Sequence, residues 1–200
     1  MSILWDRILP IEVMCREIQK GKTAMENRFF TRIAEGQGTI EDVARKLPGF
    51  KGYLAKQDRR AADRLLREHI VLVFEELLRE FTRLQNQMVD SGGLKYMERA
   101  RRIDTVLQTF IDRVRTAPEG YAGLFDAVKI REKELDRVYA FDNGLLEYSA
   151  QIKNGLNKLE EAVGSEGIGE VLDQLDEAVR EVADLFRRRT EAMKGLDQAV

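Results

Sequence analysis

The feature that most constrains this chain is an apolar repeat within Ala122 to Val163. Val128, Leu135, Val138, Leu145, Ile152, Leu156, Leu159 and Val163 follow a three-and-four spacing, with Arg131, Asp142 and Ser149 standing where it asks for further apolar residues. This spacing lays one seam along an α-helix and calls for a partner helix. An unbroken helix of this length is about 60 Å long at ~1.5 Å per residue. That exceeds the width of a compact domain of this size, so an elongated molecule is expected.

Polar seam residues cost stability and can fix register. The plainer reading of Asp142 and Ser149 is that the partner helix ends nearby, or that water reaches them. Tyr139, Phe141, Leu146 and Tyr148 widen the middle of the seam, which implies more than one neighbouring helix there. From Ala150 onward the face narrows to suit a two-helix contact. The repeat keeps its phase through Asn143-Gly144 and Asn154-Gly155. These glycines therefore read as tolerated within the helix, with room for a kink at Gly144.

The rest of the chain repeats the theme. Residues 1–20 read as an amphipathic helix carrying Trp5 and interrupted at Pro10. Two short helices follow, the second capped by Thr39 and ended before Pro48. Pro48 to Tyr53 is a connector that Phe50 and Tyr53 would dock onto the bundle.

A long helix from about Leu54 to Val89 carries a main stripe of Leu66, Ile70, Val73, Leu77, Phe81, Leu84 and Met88. Leu65, Leu72 and Leu78 form a second stripe on it. Gly92-Gly93 stops this helix, and a third runs antiparallel to it from about Leu94 to Arg115. Pro118-Glu119-Gly120 ends the third. Beyond Gly164 to Gly167 the last helix has the cleanest repeat, from Ile168 through Phe186 to Leu196, interrupted by Arg189. It must fold back on the organising helix. The expected units are an N-terminal arm (1–50), a long-helix bundle (51–163) and a returning C-terminal helix (164–200).

Composition narrows the function classes. A formal charge of −2 argues against a general nucleic-acid binder. One cysteine, Cys15, excludes an internal disulfide and fits a cytoplasmic location. No apolar run is long enough to span a membrane, and the first residues do not read as a secretory signal. With one histidine, His69, a di-iron helical site cannot be assembled, nor a zinc cluster unless carboxylates or other subunits contribute ligands. No phosphate loop, dinucleotide fingerprint or nucleophile motif occurs. The expectation is no enzyme, no cofactor, no metal and no small-molecule substrate. Asp142 is the carboxylate expected to be buried and therefore shifted in pKa. The acidic run from Glu160 to Asp184, set against bases at Lys51 to Arg67 and Arg99 to Arg102, reads as solvated faces; an alternative is mutual contact within or between molecules.

Three resemblances bear on function. Pro48-Gly49-Phe50-Lys51-Gly52-Tyr53 with Gln57 to Arg67, then Gly120-Tyr121-Ala122-Gly123-Leu124-Phe125-Asp126 and Tyr139-x-x-Asp142, resembles motifs of uncharacterised bacterial helical proteins. That family implies an all-α fold and no known activity. The long hairpins are broadly similar to phage-shock and ESCRT-III-like proteins, which implies a membrane-surface role through residues 1–18. Thr39 to Ala44 resembles the opening of a LacI-type helix-turn-helix, but no small polar residues open the would-be recognition helix. That departure leaves DNA binding through residues 39–60 as the second alternative.

The two Gly-Tyr turns are expected to meet near one end of the bundle, with Arg59, Arg60, Asp63 and Asp126 in a salt-linked cluster. The candidate interaction residues are then Phe50, Tyr53, Arg59, Arg60, Asp63, Tyr121, Asp126 and Asp142. The expected molecule is an all-α, elongated helical bundle with a projecting antiparallel coiled-coil-like hairpin. It would be a scaffold or adaptor that contacts a protein partner or self-associates through the outer face of the last helix.

Overall fold

The computed structural model describes residues 59–117 and 132–197, with side chains from Asp63 to Ala117 and from Tyr139 to Ala192. Expectations for the N-terminal arm, the connector and the second Gly-Tyr turn lie outside the described residues. Those residues form four helices and no strand: α1 (Arg59–Asp90), α2 (Met97–Thr116), α3 (Glu132–Ala162) and α4 (Ile168–Asp197). A short 3-10 turn, Leu94–Tyr96, leads into α2. The fold is all-α, as the periodicity predicts.

Each hairpin turn has a local cause. Gly92 takes a left-handed φ of 80°. Its amide donates to the Val89 carbonyl at 3.0 Å, and the Gly93 amide donates to that of Met88 at 2.7 Å. These two bonds satisfy carbonyls that the end of α1 would leave bare. A Cβ at Gly93 would stand 2.7 Å from the Met88 carbonyl oxygen, so no larger residue fits. The second hairpin turns at Gly164, whose φ is 82°. At the far end of α2, Ala117 leaves the helix with φ −55° and ψ 125°, as the residue before a proline must.

The two hairpins lie side by side with their turns at the same end. α1 and α2 run antiparallel, joined by Arg115–Glu75 near one end and by Gln85 to the Ala100 carbonyl near the other. α4 runs parallel to α2, since Arg99 meets Asp173 and Phe110 meets Phe186. α3 runs parallel to α1 through Lys153–Glu80 and Arg83–Glu160. The second hairpin therefore lies along the first instead of projecting from it. Its ends are held by packing on both α1 and α2.

The core follows the stripes. Leu66, Ile70, Phe74, Leu77, Phe81, Leu84 and Met88 of α1 are buried. Phe74 takes the place expected for Val73, which is only partly buried, so the stripe steps by four after Ile70. The expected second stripe fails at Leu72, which is 61 % exposed. On α4 the seam from Ile168 through Phe186 is buried against the rest of the same chain. These side chains leave no free apolar face on this part of α4; Met193 and Leu196, which continue the expected stripe, lie outside the described side chains.

α3 is assigned as helix throughout, Gly144 and Gly155 included. Every described side chain from Tyr139 to Leu146 is buried, consistent with the broad seam there and with α3 touching both α1 and α4. Lys153 on Glu80 shows that α3 keeps its second neighbour beyond Ala150, where a two-helix contact was expected.

Gly155 is more than tolerated. A Cβ there would lie 2.6 Å from Leu175 Cδ2 and 3.2 Å from its Cγ. Gly155→Ala gains helix propensity of about 0.5–1 kcal/mol but overpacks the seam at a cost of about 1–3 kcal/mol. A net loss of about 1–2 kcal/mol is expected from thermal unfolding. Adding Leu175→Val, which frees space, should return most of it.

Candidate functional site

The described interior holds one concentrated group of charges, at the end of the bundle away from the turns. Asp63 and Arg67 stand one turn apart on α1, Asp142 sits on α3 and Arg189 on α4, and all four are buried. Asp142 is 1 % exposed and Arg189 3 %. Asp142 lies 21 residues before Val163 and Arg189 lies 21 after Ile168, so the antiparallel hairpin brings them to one level.

Arg189 donates through Nε to Asp142 Oδ1 at 2.6 Å and through Nη2 to Asp142 Oδ2 at 3.1 Å. The same Nη2 donates to Asp63 Oδ1 at 3.1 Å. Asp63 Oδ2 accepts from Arg67 Nε at 2.9 Å, and Arg67 Nη1 donates to the Ala117 carbonyl at 2.8 Å. The planar guanidinium fork matches a carboxylate edge, which is why Arg serves here and Lys would not. Two acids and two guanidinium groups make the quartet neutral, so side chains from α1, α3 and α4, with the Ala117 carbonyl just past α2, form a polar core with no net charge.

Burial pushes the Asp142 carboxyl above its ordinary value of 3.8; the charge and hydrogen bonds of Arg189 pull against it, the Asp63 charge adds to the rise, and Arg67 opposes it. Ser149, the other polar seam residue, is buried with its Oγ donating to the Leu146 carbonyl at 2.7 Å. Water access and a nearby helix end therefore do not explain these positions. Asp142 is held by a partner on the facing helix, and Ser149 by its own backbone.

Of the expected site residues, the structure brings together Asp63 and Asp142. The expected salt-linked cluster joins Asp63 with Arg59, Arg60 and Asp126. In the described residues its two oxygens accept from Arg67 and Arg189. Arg59 and Arg60 open the described part of α1, but their side chains lie outside the described residues, as do Phe50, Tyr53, Tyr121 and Asp126. Sequence reasoning missed Arg189 as a site residue. Its signal was present, since it breaks the α4 repeat as far from the turn as Asp142 breaks that of α3.

No family model, curated protein or solved structure matches the chain. Among the described residues, no three His, Cys, Asp or Glu side chains gather as a metal site would. No helix of the described residues is long and apolar enough to cross a membrane. His69 is half-buried on α1, and burial lowers its pKa. The acidic run meets basic residues within the molecule, with Asp173 on Arg99 at 3.2 Å and Glu160 on Arg83 at 2.8 Å.

One surface cluster titrates in a readable way. Asp184 accepts from both Arg187 and Arg188 on the next turn of α4. The hydrogen bond from Arg187 holds its pKa below 3.8, against a smaller effect of burial. A depressed carboxyl contributes stability above its unfolded pKa, and the contribution vanishes as pH falls through the folded value. Asp184→Asn is expected to cost less than about 1 kcal/mol at neutral pH, as exposed pairs do. The difference should close below pH 3.8 and shrink with added salt. Urea titrations of both proteins at several pH values check this.

Proposed function

We propose that this protein is a non-enzymatic helical scaffold or adaptor of the cytoplasm that works through protein–protein contacts. Its interior acids are engaged by guanidinium groups, which do not give up protons near neutral pH. Such a quartet holds charge in place; it does not move it to a substrate.

The observation that carries the reading is a groove between α1 and the end of α2. It measures about 580 Å³ and is lined by Val71, Leu72, Val114 and Ala117, with Arg64, Glu68, Glu75 and Arg115 among its charged walls. Leu72 is the large apolar side chain most exposed there. Apolar surface rimmed by charge suits a contact site. The self-association considered for the last helix moves, in this reading, to the groove.

The test is light scattering on the full chain over a wide concentration range, together with affinity capture, for wild type and Leu72→Glu. Association with a second copy or with a captured protein should be lost in Leu72→Glu while helicity and unfolding midpoint stay unchanged. A wild type that stays monomeric and captures nothing, or association indifferent to Leu72→Glu, overturns the reading.

A further inference from the structure

Within each hairpin, a tight turn sets which residues face each other. Between the hairpins, residues 118–131 lie outside the described residues, so no described turn sets how α3 and α4 align with α1 and α2. The apolar stripes cannot set that alignment alone. They repeat every seven residues, so a slide of one heptad, about 10 Å at ~1.5 Å per residue, sets Leu, Ile and Phe against Leu, Ile and Phe again. The ion pairs Arg83–Glu160, Arg99–Asp173 and Lys153–Glu80 also cross between hairpins, but in each at least one partner stands about half exposed, and such pairs discriminate little.

The quartet divides along the same boundary. Asp63 and Arg67 belong to the first hairpin and pair with each other. Asp142 and Arg189 belong to the second and pair likewise. Each hairpin thus carries its own neutral pair, and the bond from Arg189 to Asp63 joins them across the interface. A one-heptad slide of the second hairpin towards the turns would set Arg189 beside Ile70 and leave Asp63 without it. An ion pair buried against hydrocarbon, stripped of a cross-contact, is disfavoured, whereas the apolar layers, apart from the one carried past the end, find apolar partners again.

We propose that the Asp63–Arg67–Asp142–Arg189 quartet is the alignment key between the two hairpins: it rejects heptad-shifted docking that the apolar stripes would accept. Buried polar groups that fix the register of helices are the best-attested use of such a cost. This stands independently of the function proposed above.

Disulfide trapping in the full chain tests it, with the single native cysteine removed by Cys15→Ser. Arg83→Cys with Glu160→Cys reports the observed alignment. Glu76→Cys or Asp90→Cys with Glu160→Cys reports a slide of one heptad either way, since both positions are exposed on α1. With the quartet intact only the first pair should close. With Asp63→Leu, Arg67→Met, Asp142→Leu and Arg189→Met combined, at least one shifted pair should close to a tenth or more of the yield of the first. The milder Asp142→Leu with Arg189→Met, which keeps the neutral Asp63–Arg67 pair, should show the same loss of discrimination. A folded variant of either kind that closes only the first pair overturns the proposal. So does failure of both variants to fold, which would make the quartet a source of stability.

Discussion

Arg189→Met is expected to lower the free energy of unfolding by about 3–5 kcal/mol, the range for removing one partner of a buried ion pair. The argument rests on what stays behind. Asp142 would keep its buried place on α3 and lose both guanidinium bonds, and Asp63 would lose one. Two carboxylates would then share the interior with Arg67 alone. The penalty is chiefly the desolvation of uncompensated charge, since a buried acid left without donors is costly even where the intact pair adds little.

The same reasoning predicts an asymmetry. Replacing all four members by apolar residues of similar volume removes every buried charge, and its cost should be far smaller than that of Arg189→Met alone, or even a gain. The measurement is urea unfolding followed by far-ultraviolet circular dichroism. With a slope of about 2 kcal/mol per molar for a chain of this size, the single change should move the midpoint by roughly 2 M. A single-variant cost below about 1 kcal/mol would mean that water reaches the quartet and that it behaves as a surface pair.

The second large effect is expected at Phe110. Its ring lies 4.5 Å from that of Phe74 on α1 at 56°, and 5.8 Å from that of Phe186 on α4 at 83°. It is 1 % exposed, so it joins three helices where water is absent. Phe110→Ala should cost about 3–5 kcal/mol through lost burial and an unfilled cavity, including about 0.5–1.5 kcal/mol for each ring pair. Phe110→Leu keeps most of the volume and should cost about half as much or less. Leu72→Ala on the exposed side of α1 should stay within about 0.5 kcal/mol. Thermal unfolding of the three variants gives the comparison. Equal losses at Phe110 and Leu72 would show that α1 packs with a different face inward.

Much of the architecture can be read from particular residues. Gly92 and Gly164 mark turns because a left-handed backbone disfavours side chains, Gly93 because a Cβ there would meet the Met88 carbonyl, and Pro118 ends α2 because the residue before it cannot stay helical. These are local rules, so the sequence states them directly. Phe74 shows where such reading slips. Val73 and Phe74 both fit a three-and-four stripe, and the choice depends on the angle at which α2 and α3 approach, which no local pattern contains. Leu72 slipped for the same reason: an apolar residue beside a stripe is covered only if a helix happens to lie on that side.

The charged core was half legible. Asp142 was marked by its place in a seam, and Arg189 by breaking one. Equal distance to the turn could have paired them, a step that the sequence reading does not take. The bond from Arg189 to Asp63 has no local signal, because the two lie 126 positions apart. The unbroken phase of the repeat marks Gly155 as tolerated in the helix, whereas its space is set by Leu175 on the facing helix.

Among the described residues, the sequence by itself determined that the chain is helical, where the helices stop at the two turns and at Pro118, and the antiparallel partner of each within a hairpin, since hydrogen-bond geometry, glycine and proline act over a few residues. Only the tertiary structure decided how the second hairpin lies along the first, which face of α1 is inward, and that four charges from three helices close on one another. A repeating apolar stripe is equally satisfied by many alignments, and the one adopted depends on contacts between residues far apart in the chain.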